Sequence, residues 1–205
     1  MDDINFGVPD RRSANVILGQ INDVLKSRGL ALNLSKTEVM TSKEAEFHFM
    51  FLENLRLSNI QTRARKLKSQ TAKRKLARKV QGELANHLKN CESKNKDKVT
   101  KRFLTTLGLL AIPAALIEVK AIYVSQPVLR ASVLNYLSKL PFSKPVAKIF
   151  LTLLNETDLY DDAARFGLVA AVVDWDVPRD SSGMNLVGQL RKKLEVPNSA
   201  FDWLC

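Results

Sequence analysis

Cysteine is scarce in this chain. Among 205 residues only Cys91 and Cys205 occur, far apart and in no metal-ligand spacing, which argues against a disulfide framework or a zinc site and fits a reducing cytoplasm. Long apolar runs are missing as well. The longest, residues 103–117, is interrupted by Thr105, Thr106 and Pro113 and stopped by Glu118 and Lys120, too short to span a bilayer. The N-terminus carries no basic-plus-apolar leader. Aromatic residues make up 7% of the chain and none falls between Leu52 and Arg102. That gap removes base stacking from whatever this stretch binds. Residues 61–90 also lack proline and hold one glycine, Gly82, so nothing in them interrupts a helix.

What the chain does contain is ordinary in amount: 45% hydrophobic and 26% charged residues, enough for a sizeable core and two subdomains. The distribution of charge is not ordinary. The net charge of +11 is concentrated in residues 61–102, where 15 lysines and arginines face 3 acids, giving +12. Residues 1–60 hold 7 against 8 and residues 103–205 hold 10 against 10. Within the basic segment Leu76, Val80, Leu84 and Leu88 recur every four residues, a narrow apolar stripe that predicts one long helix or two in tandem. The remaining surface carries Arg63, Arg65, Lys66, Lys68, Lys73, Arg74, Lys75, Arg78 and Lys79, with no acid in residues 61–82. A merely solvated face mixes signs. This one is expected to grip the phosphates of nucleic acid without reading sequence.

The N-terminal forty residues have a definite order. Asp2 and Asp3 come first. From Ser13 to Arg28, Ala14, Ile17, Leu18, Ile21, Val24 and Leu25 share one helical face, with Asp10 or Ser13 available as the cap and Gly29 placed to close the helix. The alternating leucines of residues 30–40 suit a strand with one buried face. Phe47, Phe49 and Phe51 alternate with His48 and Met50, which reads as a strand or as the buried start of a helix. His48 is expected to be packed or hydrogen-bonded rather than catalytic, and His87 to be exposed on a lysine-rich helix. Residues 91–100, rich in Lys, Asn and Ser, read as an exposed connection. Beyond residue 101, Pro113, Pro127 and Pro145 sit where helices can begin. Apolar residues then follow at helical spacing: Leu116, Val119, Ile122 and Tyr123, then Val133, Leu134 and Leu137, then Ile149, Phe150 and Leu153. A further helix is expected from about Asp161 to Asp174.

This arrangement of acidic pair, amphipathic helix, glycine and Asn-x-x-Lys-Thr resembles one stretch of the reverse transcriptases. In that family an aromatic-x-Asp-Asp turn lies in the palm and leads through a helix to a Gly-x-x-x-Asn-x-x-Lys-Thr segment. Met1-Asp2-Asp3 matches the end of the turn, and Gly29 to Thr37, with Asn33 and Lys36, matches the segment. The resemblance covers residues 1–40. It implies that Asp2 ligates the magnesium pair directly, that Asp3 supports it, and that Lys36 donates a proton or charge to the departing pyrophosphate. Magnesium suits an oxygen-only site of this kind. The aromatic residue before Met1, the fingers and the third metal-binding aspartate of the family have no counterpart here, so the chain alone is expected to be inactive and to require an upstream polymerase half.

The expected fold is mainly α: residues 1–60 a partial palm of a helix and short strands, residues 61–102 a basic thumb-like helical segment, and residues 103–205 a helical-repeat, HEAT-like domain. Such a tail resembles the bacterial abortive-infection and defence group. The implied function is that of a fragment of an RNA-directed DNA polymerase, with an RNA/DNA template-primer and deoxynucleotides as partners, no membrane, and a protein partner through the repeats. The alternatives are a non-catalytic nucleic-acid-binding helical protein and a protein-binding helical-repeat module.

Overall fold

The structure, a computed structural model, describes residues 5–155 and 162–194. The chain divides into two compact units, Met1–Phe47 and His48–Cys205.

In the first unit the helix ends are set by short-range hydrogen bonds. Asp10 caps α1 (Arg11–Ser27), its Oδ1 accepting from the Ser13 N–H at 2.7 Å. Hydrogen bonding from Ser13, from its backbone first and then its side chain, holds the Asp10 carboxyl below its ordinary range. At the other end Gly29 takes φ 70°. The Gly29 N–H reaches Lys26 O at 3.0 Å and the Leu30 N–H reaches Leu25 O at 2.9 Å, a paired closure that needs a left-handed residue. Thr41 and Glu44 start α2 (Ser42–His48) reciprocally: the Thr41 N–H donates to Glu44 Oε2 at 2.7 Å and the Glu44 N–H to Thr41 Oγ1 at 3.3 Å.

The strand expected over residues 30–40 is not formed. Asn33 draws the chain into a turn instead, its carbonyl accepting from the Lys36 N–H at 3.0 Å and from Thr37 Oγ1 at 2.9 Å, while Ser35 Oγ donates to Asn33 Oδ1 at 2.7 Å. A lone alternating segment also needs a neighbour to pair with, and no strand occurs among the described residues.

The second unit is a stack of helices around one continuous apolar core running from Met50 to Leu186. It comprises α3 (Phe51–Lys66), α4 (Gln70–Asn90), α5 (Lys96–Leu110), α6 (Leu116–Ser125), a 3-10 turn at Pro127–Leu129, α7 (Arg130–Ser138), α8 (Lys144–Leu154), α9 (Asp162–Val173) and α10 (Ser181–Leu194). The mainly α expectation therefore holds, and the proline-led starts near residues 113, 127 and 145 each open a helical element. Of the apolar residues expected to face the core, Val119, Ile122, Tyr123, Val133, Leu137, Phe150 and Leu153 are buried, while Leu116, Leu134 and Ile149 are half-buried and pack against its edge.

Helix α5 is central. It buries Val99, Phe103, Leu104, Leu107 and Leu110 and packs against α3, α4 and α7. Beyond it, alternate helices meet: α7 packs on α9, α6 on α8, and α8 on α10. Two of the close crossings use glycine. A Cβ on Gly108 would lie 3.2 Å from Lys139 Cδ, and one on Gly167 would lie 3.1 Å from Leu134 Cδ1, so α5 and α9 approach their neighbours where a side chain would intrude. Three large buried side chains of this core place their polar atoms on backbone carbonyls. Tyr123 donates to Ala164 O at 2.6 Å, Trp175 to Leu140 O at 2.7 Å, and Tyr136 to Ile112 O at 3.0 Å. Burial raises the Tyr136 phenol to about 12.

Three further expectations are corrected. His87 is buried, at 7% exposure, not surface-placed. Its Nε2 lies 3.1 Å from Thr100 Oγ1 and 3.2 Å from Lys96 O, and its ring leans on Phe103. Lysines occur on either side of it in sequence, but position 87 falls on the same side of α4 as the buried Val80 and Leu84. The connection after α4 is short, because α5 begins at Lys96, and it is partly inserted: Ser93 is buried and Cys91 Sγ lies 3.7 Å from Met50 Sδ. Finally, Phe47, Phe49 and Phe51 are all exposed. Met50 adopts a left-handed conformation, φ 48° and ψ 50°, at the junction before α3. That turn sends Met50 into the core and breaks the inward alternation of the phenylalanines.

Candidate nucleic-acid interface

The basic stretch is two helices in tandem joined by Leu67, Lys68 and Ser69. Both α3 and α4 lie on α5. Their inward residues are apolar: Leu57, Ile60 and Ala64 on α3, and Leu76, Ala77, Val80 and Leu84 on α4. The cations are therefore left outside. Arg63, Arg65, Lys66, Lys68, Arg74, Lys75, Arg78 and Lys79 are exposed and Lys73 is half-buried. At 100° per residue, Arg74, Lys75, Arg78 and Lys79 spread over about 140° of the circumference of α4. Leu67–Ser69 is thus flanked by the basic last turn of α3 and the basic opening turns of α4.

The two helices use these cations differently. Arg63, Arg65 and Lys66 lie in the last turn of α3, where positive charge complements the helix dipole. Helix α4 has no acid in its first turn. Its start is capped by Ser69, whose Oγ accepts from the Ala72 N–H at 3.4 Å, and Lys68, Lys73 and Arg74 add positive charge at an end that is already positive. From residue 54 to residue 82 there is no Asp or Glu at all. Among the described residues, none of the nine cations makes an ion pair. Nearby, Arg56 approaches Glu83 at 4.0 Å. The corner is a surface of uncompensated charge.

Sequence reasoning picks out these nine residues but misses Arg102, which fixes the geometry beside them. Its Nη1 donates to Asn54 Oδ1 at 2.6 Å and Asn54 O at 3.1 Å, and its Nη2 to Ser58 Oγ at 2.9 Å. It anchors α3 on α5 and is used structurally. No local pattern distinguishes it from the other cations of residues 61–102.

The proposed polymerase residues are placed less fully. Asp2 and Asp3 lie outside the described residues. Lys36 is exposed on the Asn33 turn of the first unit. Among the described residues no group of three or more His, Cys, Asp or Glu is arranged to hold a metal ion, and no helix is long and apolar enough to cross a membrane. No protein-family profile, curated protein or solved structure matches this chain.

Proposed function

We infer that this protein binds nucleic acid through the α3–α4 corner, holding phosphates without selecting sequence. The observation that carries this reading is the unbalanced charge: nine cations around one interhelical connection, no acid from residue 54 to 82, and no ion pair among them in the described residues. Like charges crowded from Lys68 to Lys79 around the start of α4 repel one another unless an anion is supplied from outside. A phosphate backbone supplies it at regular intervals.

The finer reading keeps the resemblance of residues 1–40 to the reverse transcriptases. In it the corner serves as the thumb of an RNA-directed DNA polymerase of the defence type, and Asp2 and Asp3 hold magnesium together with an aspartate supplied from another segment. Lys36 faces the leaving pyrophosphate. What supports it is the order Asp2-Asp3, α1, Gly29, Asn33, Lys36, with Gly29 in the left-handed conformation that the helix end requires. A second reading, a protein-binding stack of HEAT-like helical pairs in residues 103–205, is favoured by the packing of alternate helices, α7 on α9 and α6 on α8 on α10.

Fluorescence anisotropy with labelled duplex across a salt series tests the corner. Replacing Lys73, Arg74, Lys75, Arg78 and Lys79 by Gln should weaken binding to all sequences and flatten the slope of log K against log salt by up to about 4.5. An unchanged slope would show the basic surface to be merely solvated. For the finer reading, magnesium-dependent primer extension reconstituted with a palm aspartate from outside should be lost in Asp2→Asn.

A further inference from the structure

The absence of aromatic residues from residues 53–101 argues against base stacking near the basic corner, yet Phe51 opens α3 and Phe49 lies in the turn just before it. Phe51 is 57% exposed and Phe49 42% exposed, beside the exposed Leu52 and Leu55. At 100° per residue, Phe51, Leu55, Thr62 and Lys66 fall within about 60° of one another on α3. One solvent face of a single helix therefore begins aromatic, passes through Asn59 and Thr62, and ends in Arg63 and Lys66. Its length, fifteen residue steps, is about 22 Å. The first-turn acid, Glu53, stands about 200° round the helix from Phe51 and leaves this face positive.

The exposure of the rings is held by rigid structure around them. The Phe49 carbonyl accepts from Asn54 Nδ2 at 2.7 Å, and Asn54 is itself gripped by Arg102. The His48 carbonyl accepts from Asn95 Nδ2 at 2.7 Å and from Ser93 Oγ at 3.3 Å. Immediately after them Met50 is buried in a left-handed conformation that a β-carbon disfavours. Hydrogen bonds from α3, α5 and the 91–95 connection thus hold a strained turn that leaves both phenyl rings partly exposed, that of Phe49 edge-on to His48 at 4.8 Å. A backbone already fixed there lowers the ordering cost when the rings bind.

We propose that the α3 face binds single-stranded nucleic acid, with bases stacked on Phe49 and Phe51 and the backbone running toward Arg63, Lys66 and Lys68. This inference rests on the nucleic-acid reading above and names its substrate class. Exposed aromatic rings on a face that ends in cations are an arrangement that takes single strands, because every base offers a face to a ring while duplex bases are already stacked. Charge complementarity selects the occupant: the face has cations at one end and no acid along it, so a partner must bring both negative charge and flat apolar surface. At a stacked rise of ~3.4 Å the 22 Å face spans about six nucleotides.

The test compares an oligothymidylate of about twelve nucleotides with an abasic strand of the same length, by anisotropy at one fixed salt concentration. The intact protein should favour the base-bearing strand about tenfold. Phe49→Ala/Phe51→Ala should remove that preference, and Phe49→Trp/Phe51→Trp should keep it, while unchanged circular dichroism shows that the fold persists. Equal affinity of the intact protein for both strands would overturn stacking and leave phosphate binding standing. Failure of the five-residue Gln variant to weaken either strand would instead overturn the nucleic-acid reading itself. Binding to anionic vesicles through the two phenylalanines, with no preference between the strands, would also overturn the proposal.

Discussion

In residues 1–47 each helix end is fixed by a side chain or glycine meeting its own backbone: Asp10 with Ser13, Gly29 with Lys26, Thr41 with Glu44. Only Ala14 is buried among the described residues there. In residues 48–194 the helices are held across long sequence separations, by a core that includes Leu57, Leu104, Tyr123, Phe150 and Trp175 and by ties such as Tyr123 to Ala164 and Trp175 to Leu140. Local capping contributes about 1 kcal/mol per site, whereas burying a large side chain contributes several times that. The two units should therefore lose structure separately, the first at lower denaturant.

This separation can be read directly, because every tyrosine and tryptophan lies beyond residue 47. Near-ultraviolet signals report the second unit, and far-ultraviolet signals report the helices of both. The largest effect should come from Phe150→Ala. Its ring is fully buried, 5.1 Å from that of Trp175, and truncation should cost about 3–5 kcal/mol in the near-ultraviolet transition. Leu18→Ala, half-buried on α1, should leave that transition in place. A shift of similar size from both substitutions would erase the distinction between the units.

A smaller effect is expected from His87, the buried titratable side chain between α4 and α5. Burial holds its folded pKa below the ordinary value, outweighing the hydrogen bond to the Lys96 carbonyl, which acts the other way. The unfolded chain then takes up a proton at higher pH than the folded one. Stability should be complete above the ordinary pKa of about 6.5 and should fall as pH drops from there through the depressed folded value. Urea titrations of the second unit at pH 7.5 and pH 5 should show the loss. His87→Gln, which retains a donor toward Lys96 O and Thr100, should reduce it, and equal stability of the parent chain at both pH values would contradict the buried neutral imidazole.

His87 also marks where sequence reading stops. The stripe Leu76, Val80, Leu84 and Leu88 is legible because period and composition agree, and so are the nine cations, since charge clustering needs no tertiary knowledge. His87 is not, because its burial depends on Phe103 and Thr100 arriving from α5. The same is true of the phenylalanines. Alternation over residues 47–51 points inward, but the left-handed turn at Met50 is stabilised by Asn95, Ser93 and Arg102, about fifty residues away in sequence. For residues 30–40 the alternating leucines outweigh the turn chemistry of Asn33, Ser35 and Thr37, although asparagine and hydroxyl side chains that bond nearby backbone are a recognisable alternative to a strand.

The smallest predicted effect concerns Gly29, whose role at the end of α1 is readable from sequence and which tests the first unit on its own terms. At φ 70° the backbone there suits glycine, and open space surrounds the site, since a Cβ would meet nothing within 4 Å. Gly29→Ala therefore introduces backbone strain without a clash and should cost about 1 kcal/mol. Because the cost falls on the closing turn of α1, it should appear as faster amide exchange in residues 20–30, with little change in the near-ultraviolet transition of the second unit. Gly29→Asn should recover part of the loss, as asparagine tolerates the left-handed region better than alanine. If Gly29→Ala instead left exchange in α1 unchanged, the paired bonds to Lys26 and Leu25 would not be what ends the helix, and local capping would lose its place as the first unit's source of order.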